Sequence, residues 1–373
     1  MNTAPRGDLS EYLGKTKHTE DHSAYQRHPL RRDTSLFGIA VRLVRTRESF
    51  LILLLLIISA PTVRAAEPIE FRNGFWINLH HYLYAQALAE TKTAGPRLLS
   101  TANSAIQHAP CTIPGSERVV WTSAVEFYAT HYISKDWLFD DEMRQLNDAL
   151  GQMGDATGKT LRSASALPED LREVLIGAAA VYRHACWPAH HGANAAWIGA
   201  EKARLAKHGA TLVRRLEQVY LAKWPEHLIA DVVTYANWAG AYTYGTHITI
   251  DSVNSDYQED SALEMIFHES SHALDTTLFE EFADEFKLQR APWPRQFDHA
   301  LIFYTAGILT KQELARTNPS YVPYGDRLGI FQRLQGWSED EAAFDRAWKP
   351  YLEGKKTRKE AIQDVVKMIC CKE

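Results

Sequence analysis

The sequence predicts an α+β fold that is predominantly helical and contains one short antiparallel sheet. Apolar residues recur at intervals of three and four in several long segments, which is the spacing of a helix with one buried face. Thr246 to Ile250 (THITI) instead alternates and is rich in β-branched residues, as expected for a strand. The 373 residues are 45% hydrophobic and 23% charged, which is typical of a globular protein and excludes disorder or a coiled coil as the main architecture.

The first 65 residues are expected to be a leader and signal peptide. Phe50–Ala60 (FLILLLLIISA) is an apolar segment of eleven residues, too short for the roughly 20 that a membrane-spanning helix needs. Three arginines precede it, and Val63 to Ala65 has the small-residue form of a cleavage site. We expect cleavage after Ala65 or Ala66, which leaves no stable membrane span. The polar leader is long, so one hypothesis places the true start further downstream, and an uncleaved anchor is the alternative.

The remaining chain is predicted to begin with helices and continue into a region of mixed structure. Residues 66–225 are expected to form a helical N-terminal subdomain, with periodic segments at Phe75–Glu90, Val119–Tyr132, Leu171–Ala185 and Ala200–Leu221. Two strands are expected between residues 228 and 251, on either side of a Gly/Tyr turn region. Helical patterning resumes near residue 259 and, after a Pro-containing break at residues 291–294, ends in a helix over residues 358–369.

Charge and cysteine content restrict the partners and the compartment. Lys+Arg 41 against Asp+Glu 46 gives a net charge of −5, so no nucleic-acid partner is expected. The four cysteines allow three full pairings in an exported chain, although adjacent Cys370 and Cys371 are poorly placed to bond to each other. A bridge between Cys111 and Cys186 is the expected one, with free thiols as the alternative. Without a C-x-x-C pair, a Gly-rich phosphate loop or a G-x-S-x-G elbow, the sequence does not support cysteine zinc sites, nucleotide chemistry or serine hydrolysis.

The strongest chemical signal is H-E-x-x-H, formed by His268, Glu269 and His272. Histidines four residues apart lie on one face of a helix, so both imidazoles can reach one metal ion. Glu269 is then placed to accept a proton from a zinc-bound water, whose pKa falls to about 7. The adjacent pairs His80-His81 and His190-His191, the latter in a predicted loop, are weak candidates for a second site because neighbouring histidines point in different directions.

This motif, preceded by a strand, resembles the zincin class of metallopeptidases. The resemblance implies a zincin-like catalytic subdomain over residues 226–373, in which Thr246 to Ile250 is the edge strand that binds extended substrate. The chain departs from named subclasses: a metzincin needs Gly and His where Asp275 and Leu278 stand, and a thermolysin-type glutamate would fall near Ala291 or Pro292. The wider pattern, WAGAYTY before the strand and HALIFYTAG after the motif, resembles a family of exported bacterial proteins.

A third metal ligand has to come from outside the motif. His299 is favoured because it lies at the start of a predicted helix that follows the Pro-containing break. The alternative is a carboxylate of the segment LFEEFADEF, with Glu281 or Glu280 first and Asp284 or Glu285 after them. Glu264 is a further alternative.

Further residues are candidates for supporting roles. Asp275 and Glu264, three residues after His272 and four before His268, could each hold the far nitrogen of an imidazole, although both could equally be ordinary helix charges. Zincins usually add a donor to the oxyanion, and Tyr324 in the loop SYVPYGDR is the favoured candidate, beside Tyr321 and Arg327.

Together these residues predict an exported zinc-dependent hydrolase, most simply a metallopeptidase, in the periplasm or secreted. It would hold one Zn²⁺ per chain and act on a peptide or protein substrate. The competing hypothesis is a binding protein of the cell envelope with a structural metal site or none, in which Glu269 would have no chemical task.

Overall fold

A four-stranded mixed sheet organises the fold in the computed structural model, which describes residues 67–91, 96–156, 158–274 and 276–370. Its strands, in the order β1-β2-β4-β3, are β1 (Glu70–Arg72), β2 (Ile229–Val233), β3 (Ala241–Tyr244) and β4 (His247–Asp251). β2 pairs in parallel with β1 and β4, and only β3 pairs antiparallel, with β4. The prediction of a predominantly helical α+β fold is confirmed, and the prediction of an antiparallel sheet is wrong.

The edge strand was also assigned to the wrong segment. Thr246 to Ile250 corresponds to β4, which lies inside the sheet between β2 and β3, and the edge beside it is β3. Three strands, rather than two, lie between residues 228 and 251. Alternation identifies a strand but not its neighbours, and the three-residue β1, which comes from far earlier in the chain, is too short to show any alternation.

Helices surround the sheet, and the segments predicted at Phe75–Glu90, Val119–Tyr132 and Leu171–Ala185 each correspond to a helix within two residues. Before β2 they are α1 (Phe75–Glu90), α2 (Pro96–His108), α3 (Arg118–His131), α4 (Asp141–Met153), α5 (Gly158–Arg162), α6 (Glu169–Ala185), α7 (Trp187–Arg204) and, after a π-helical turn at Leu205–Gly209, α8 (Ala210–Tyr220). After β4 they are α9 (Glu259–Ser271), α10 (Thr276–Leu288), α11 (Phe297–Leu314), α12 (Tyr324–Leu328), α13 (Ile330–Arg333), α14 (Trp337–Ala343), α15 (Lys349–Leu352) and α16 (Arg358–Cys370). Among the described residues, no helix has the length and apolar character needed to cross a bilayer.

The two faces of the sheet contribute to two hydrophobic cores within one compact unit that begins at Pro68. Val232 and Ile250 pack in the core that contains α9 and α11, whereas Val233 and Tyr242 pack in the core built on α1 and α6. This division follows from the strand geometry, because successive side chains point to opposite faces. The subdomain boundary between residues 225 and 226 stays a prediction.

The predicted loop around His190 and His191 is wrong, because both residues lie within α7. His190 is buried, and its two ring nitrogens lie 2.8 Å from the Tyr182 hydroxyl and 3.0 Å from the Ala109 carbonyl oxygen. This histidine therefore serves the packing of the helical core.

The other histidine pair, on α1, has the same character. His80 Nδ1 lies 2.5 Å from the Tyr128 hydroxyl, and His81 Nε2 lies 3.0 Å from the Asn147 side-chain oxygen. Burial lowers the pKa of His81 to about 4, so its imidazole is neutral in the core. Neither pair belongs to the group of metal-ligating residues that the described part of the chain brings together.

A disulfide joins Cys111 to Cys186, as predicted, across a sequence separation of 75 residues. It ties the segment before α3 to the junction of α6 and α7. Cys371 lies outside the described residues, and half-buried Cys370 donates from Sγ to Gln289 Oε1 at 3.4 Å.

Replacing both bridged cysteines by alanine should lower the free energy of unfolding by about 4 kcal/mol, because a long loop is no longer closed in the unfolded chain. Urea denaturation under oxidising conditions measures this. The parent treated with a thiol reductant is the control and should unfold at the midpoint of the double variant. Equal midpoints for the double variant and the parent would show that the bridge does not form in solution.

A second prediction concerns Asp251, the last residue of β4. Its side chain accepts the N–H groups of Val253 and Asn254 at 2.9 Å and 3.1 Å, but burial raises its pKa to about 8. The folded pKa lies above the unfolded value of about 3.9, so the protonated form favours folding, and this contribution is lost as the pH rises towards 8.

The free energy of unfolding should therefore fall between pH 5 and pH 8, by up to about 1.4 kcal/mol per pH unit from this group. Asp251→Asn keeps the acceptor oxygen and should flatten the slope in urea titrations across that range. An unchanged slope in the variant would assign the pH dependence to other carboxyl groups.

Candidate metal centre

Helix α9 carries the H-E-x-x-H motif through the interior of the protein. Glu259 and Asp260 lie in its first turn, where their negative charges interact favourably with the helix dipole. Every residue from Ala262 to Ser271 is buried. The helix ends at Ser271, and His272 is its C-cap with φ −61° and ψ −22°. Because the cap keeps helical dihedrals, the two histidines retain the spacing of one turn.

Helix α11 supplies the third histidine. It starts at Phe297 after the Pro-containing break, so His299 lies in its first turn, and α11 packs directly against α9. The ring centroids of His268, His272 and His299 lie 5.2 to 5.3 Å apart in all three pairs. Each offers one ring nitrogen, and these three atoms lie within 4.8 Å of one another.

The distance between two of these nitrogens fits a zinc ion. His268 Nε2 and His299 Nε2 are 3.3 Å apart. In tetrahedral coordination with Zn–N bonds of 2.0–2.1 Å, two ligand nitrogens are separated by about 3.3 Å. Within the described residues this is the one group of three or more metal-ligating side chains at such distances.

The surroundings keep these imidazoles neutral, which metal binding requires. Burial lowers the pKa of His272 to about 3 and that of His299 to about 4. For His268, which is 1% exposed, burial and the two neighbouring histidines lower the pKa well below its ordinary value. A lone pair is therefore available on each ring at neutral pH.

Glu269 lies where α9 meets the edge strand β3. The Thr243 hydroxyl on β3 is 2.6 Å from Glu269 Oε2 and 3.0 Å from the Glu269 carbonyl oxygen, and it can donate to either. Burial raises the pKa of the Glu269 carboxyl to about 7, although the hydrogen bond from Thr243 opposes the shift. A carboxyl group with such a pKa can both accept and release a proton near neutral pH.

The acidic alternatives for the third ligand are directed elsewhere. Glu281 on α10 forms an ion pair with Arg358 on α16, and Glu280 is exposed. Asp284 is exposed as well, and Glu285 accepts a hydrogen bond from Gln289. Of the candidates, only His299 lies with the two motif histidines.

Of the two supporting roles predicted for carboxylates, one is wrong and the other falls on a residue that the structure does not describe. Glu264 does not orient His268, because its oxygens accept hydrogen bonds from Tyr321 and Tyr324, and His268 Nδ1 is buried without a hydrogen-bond partner. Asp275 lies outside the described residues. The helix that was expected to carry it on the face of His272 ends at Ser271.

Tyr324, the predicted oxyanion donor, lies near the site in the first turn of α12 and is 7% exposed. Its ring packs against that of Tyr257 at a centroid distance of 5.6 Å, and burial, with a contribution from Tyr324 and Glu269, raises the pKa of Tyr257 well above its ordinary value. The ring of Tyr324 stacks on Phe303 at a centroid distance of 6.2 Å. The oxyanion role stays a prediction.

Two further residues are neighbours of the site, and sequence reasoning missed one of them. Phe303, on the turn of α11 after His299, places its ring 3.9 Å from that of His268 and 4.9 Å from that of His299, measured between centroids. The four-residue spacing from His299 did indicate that Phe303 shares its face. Thr243 carried no signal, because its partner Glu269 is 26 residues away in sequence and depends on β3 being the edge strand.

Comparison with known proteins does not add a relative. No protein-family model matches the chain, and no curated protein or solved structure matches it. The functional argument therefore depends on the residues of this chain.

Removal of either His268 or His299 should abolish zinc binding. The purified protein should hold about one zinc per chain. Loss of a residue that hydrogen-bonds to a metal ligand lowers metal affinity 10- to 100-fold, so loss of a ligand itself, in His268→Ala or His299→Ala, should weaken binding by more than that. Elemental analysis after dialysis against a weak chelator measures this. His131→Ala removes an exposed histidine of α3 and should keep the metal. Zinc retained by His299→Ala would contradict the three-histidine site.

Proposed function

We propose that this protein is a zinc-dependent hydrolase that cleaves peptide bonds. The observation that supports it most is the convergence of buried His268 with half-buried His272 and His299, beside the buried Glu269 of the same motif. His268, His272 and His299 would hold the ion. These three ligands would fill three positions of a tetrahedron and leave the fourth position open. A bound zinc ion would supply Lewis-acid activation of water and of a carbonyl oxygen.

The chain's own residues would perform the proton transfers. Thr243 holds Oε2 of Glu269, so Oε1 would accept the proton from the attacking water and pass it to the departing amine. Burial of Glu269, which is 5% exposed, favours this exchange because the neutral and charged forms of the carboxyl are close in free energy near neutral pH.

The edge of the sheet supports a peptide as the substrate class. β3 is the edge strand next to α9, and a sheet edge offers unpaired N–H and C=O groups to an extended chain. Thr243 lies on this strand, so substrate pairing would take place beside Glu269. The choice of peptides over other acyl compounds comes from the resemblance to zincins.

Export to an oxidising compartment fits the Cys111–Cys186 disulfide, since such bridges persist in periplasmic and secreted proteins. The signal segment on which the export proposal also depends lies outside the described residues.

The decisive variant is Glu269→Gln, which keeps the shape of the side chain and removes its basicity. Hydrolysis of a mixed peptide library, followed by mass spectrometry, should slow by about 10²- to 10⁴-fold while zinc content is unchanged. Glu201→Gln, which changes a buried glutamate paired with Arg204 on α7, is the matched control and should keep full activity.

Equal turnover in Glu269→Gln and the parent would exclude the glutamate mechanism. If neither protein cleaves any peptide while both bind zinc, the envelope binding-protein hypothesis becomes the better account.

A further inference from the structure

A buried carboxylate, one turn before the first metal ligand, connects the metal centre to a later segment of the chain. Glu264 on α9 is 1% exposed. It accepts the Tyr321 hydroxyl on Oε2 at 2.6 Å, and the Tyr324 backbone N–H lies 3.0 Å from both of its oxygens. Hydrogen bonds to a carboxylate are about twice as strong as those between neutral groups, and both donors come from residues 321–324. We name residues 321–328, which include α12, the Tyr324 segment.

Close packing holds the Tyr324 segment in the same place. A side chain at Gly307 of α11 would place its Cβ 2.9 Å from Pro323 Cβ and 3.3 Å from Glu264 Oε1, so only glycine allows this approach. At its other end, Arg327 forms an ion pair with Asp256 at 2.9 Å. The segment is therefore fixed against both α9 and α11.

Tyr324 touches both functional parts of the candidate site. Its ring stacks on Phe303, which lies against the imidazoles of His268 and His299. Its ring also packs against that of Tyr257, with the centroids 5.6 Å apart, and the Glu269 carboxyl contributes to the raised pKa of Tyr257. A shift of Tyr324 would therefore disturb both the packing of Phe303 on the histidines and the surroundings of Glu269.

We propose that Glu264 is a positioning residue that fixes Tyr324, and through it Phe303, against the metal-binding imidazoles. It does not touch the metal site itself; it acts by holding the Tyr324 segment over it. The consequence for metal affinity rests on the proposed function, whereas the shielding of His268 does not depend on a metal.

The test compares Glu264→Gln and Tyr321→Phe with a matched control. Tyr321→Phe removes one hydrogen bond and leaves the carboxylate in place, so it is informative even if Glu264→Gln does not fold. The control is Tyr304→Phe, which also removes a tyrosine–carboxylate hydrogen bond, from Tyr304 to Asp345 at 2.5 Å. Tyr304 lies on α11, the helix that carries His299 and Phe303. A general loss of stability should affect the control as much as the two test variants.

The first readout uses the metal-free protein. Diethyl pyrocarbonate modifies accessible neutral imidazoles, and mass spectrometry of the digest gives the rate for each histidine, with exposed His131 as internal standard. Labelling of His268 should rise about tenfold or more in Glu264→Gln and Tyr321→Phe, because local opening over the site becomes easier. It should stay at the parental rate in Tyr304→Phe. Parental rates in both test variants, or an equal rise in all three variants, would overturn the proposal.

The second readout is Co²⁺ binding, followed by the visible absorption of the bound ion. The two test variants should bind about tenfold more weakly and show an altered spectrum, while Tyr304→Phe should match the parent. Parental affinity and spectrum in a variant whose His268 is deprotected would contradict the effect on the metal. Failure of the parent itself to bind Co²⁺ or Zn²⁺ would contradict the proposed function, and the labelling rates would still decide the role of Glu264.

Discussion

The convergence of three imidazoles, one buried and two half-buried, on one point is the constraint on which the rest of the structure depends. Polar groups removed from water cost free energy unless they find partners, and the Nε2 of His268, which is 1% exposed, has the Nε2 of His299 beside it at 3.3 Å. Their ring nitrogens are nevertheless held within 4.8 Å of one another. An arrangement of neutral, close and poorly hydrated nitrogens is satisfied by a shared cation, so the packing of α9 against α11 has the form of a preorganised metal site.

The sheet completes this site by giving α9 a neighbour with free polar groups. β3 runs antiparallel to β4 and forms the edge, and its side chains alternate so that Tyr242 enters the helical core while Thr243 faces the motif helix. Through Thr243, β3 thus holds the carboxylate of Glu269, while one side of the β3 backbone lies at the sheet edge. The fold therefore places Glu269 next to the edge strand β3.

The parts predicted from sequence were those with local signals. Helical periodicity located α1 and α9, and the four-residue spacing of H-E-x-x-H, together with a helix start near residue 299, brought the three histidines into one hypothesis. Strand order could not be predicted, because alternation in Thr246 to Ile250 does not reveal that β4 lies inside the sheet. The bonds of Glu264 to the Tyr324 segment span about 60 residues, and they depend on a close approach at Gly307 that no spacing rule indicates.

The most direct test of the metal centre is the local structure around zinc in the purified protein, measured by X-ray absorption at the zinc edge. The account predicts three imidazole nitrogens at 2.0–2.1 Å and one further light ligand from solvent. A coordination shell with sulfur, with fewer than three imidazoles, or with four protein ligands would contradict it. Absence of zinc after loading would show that the three histidines lie together without serving a metal.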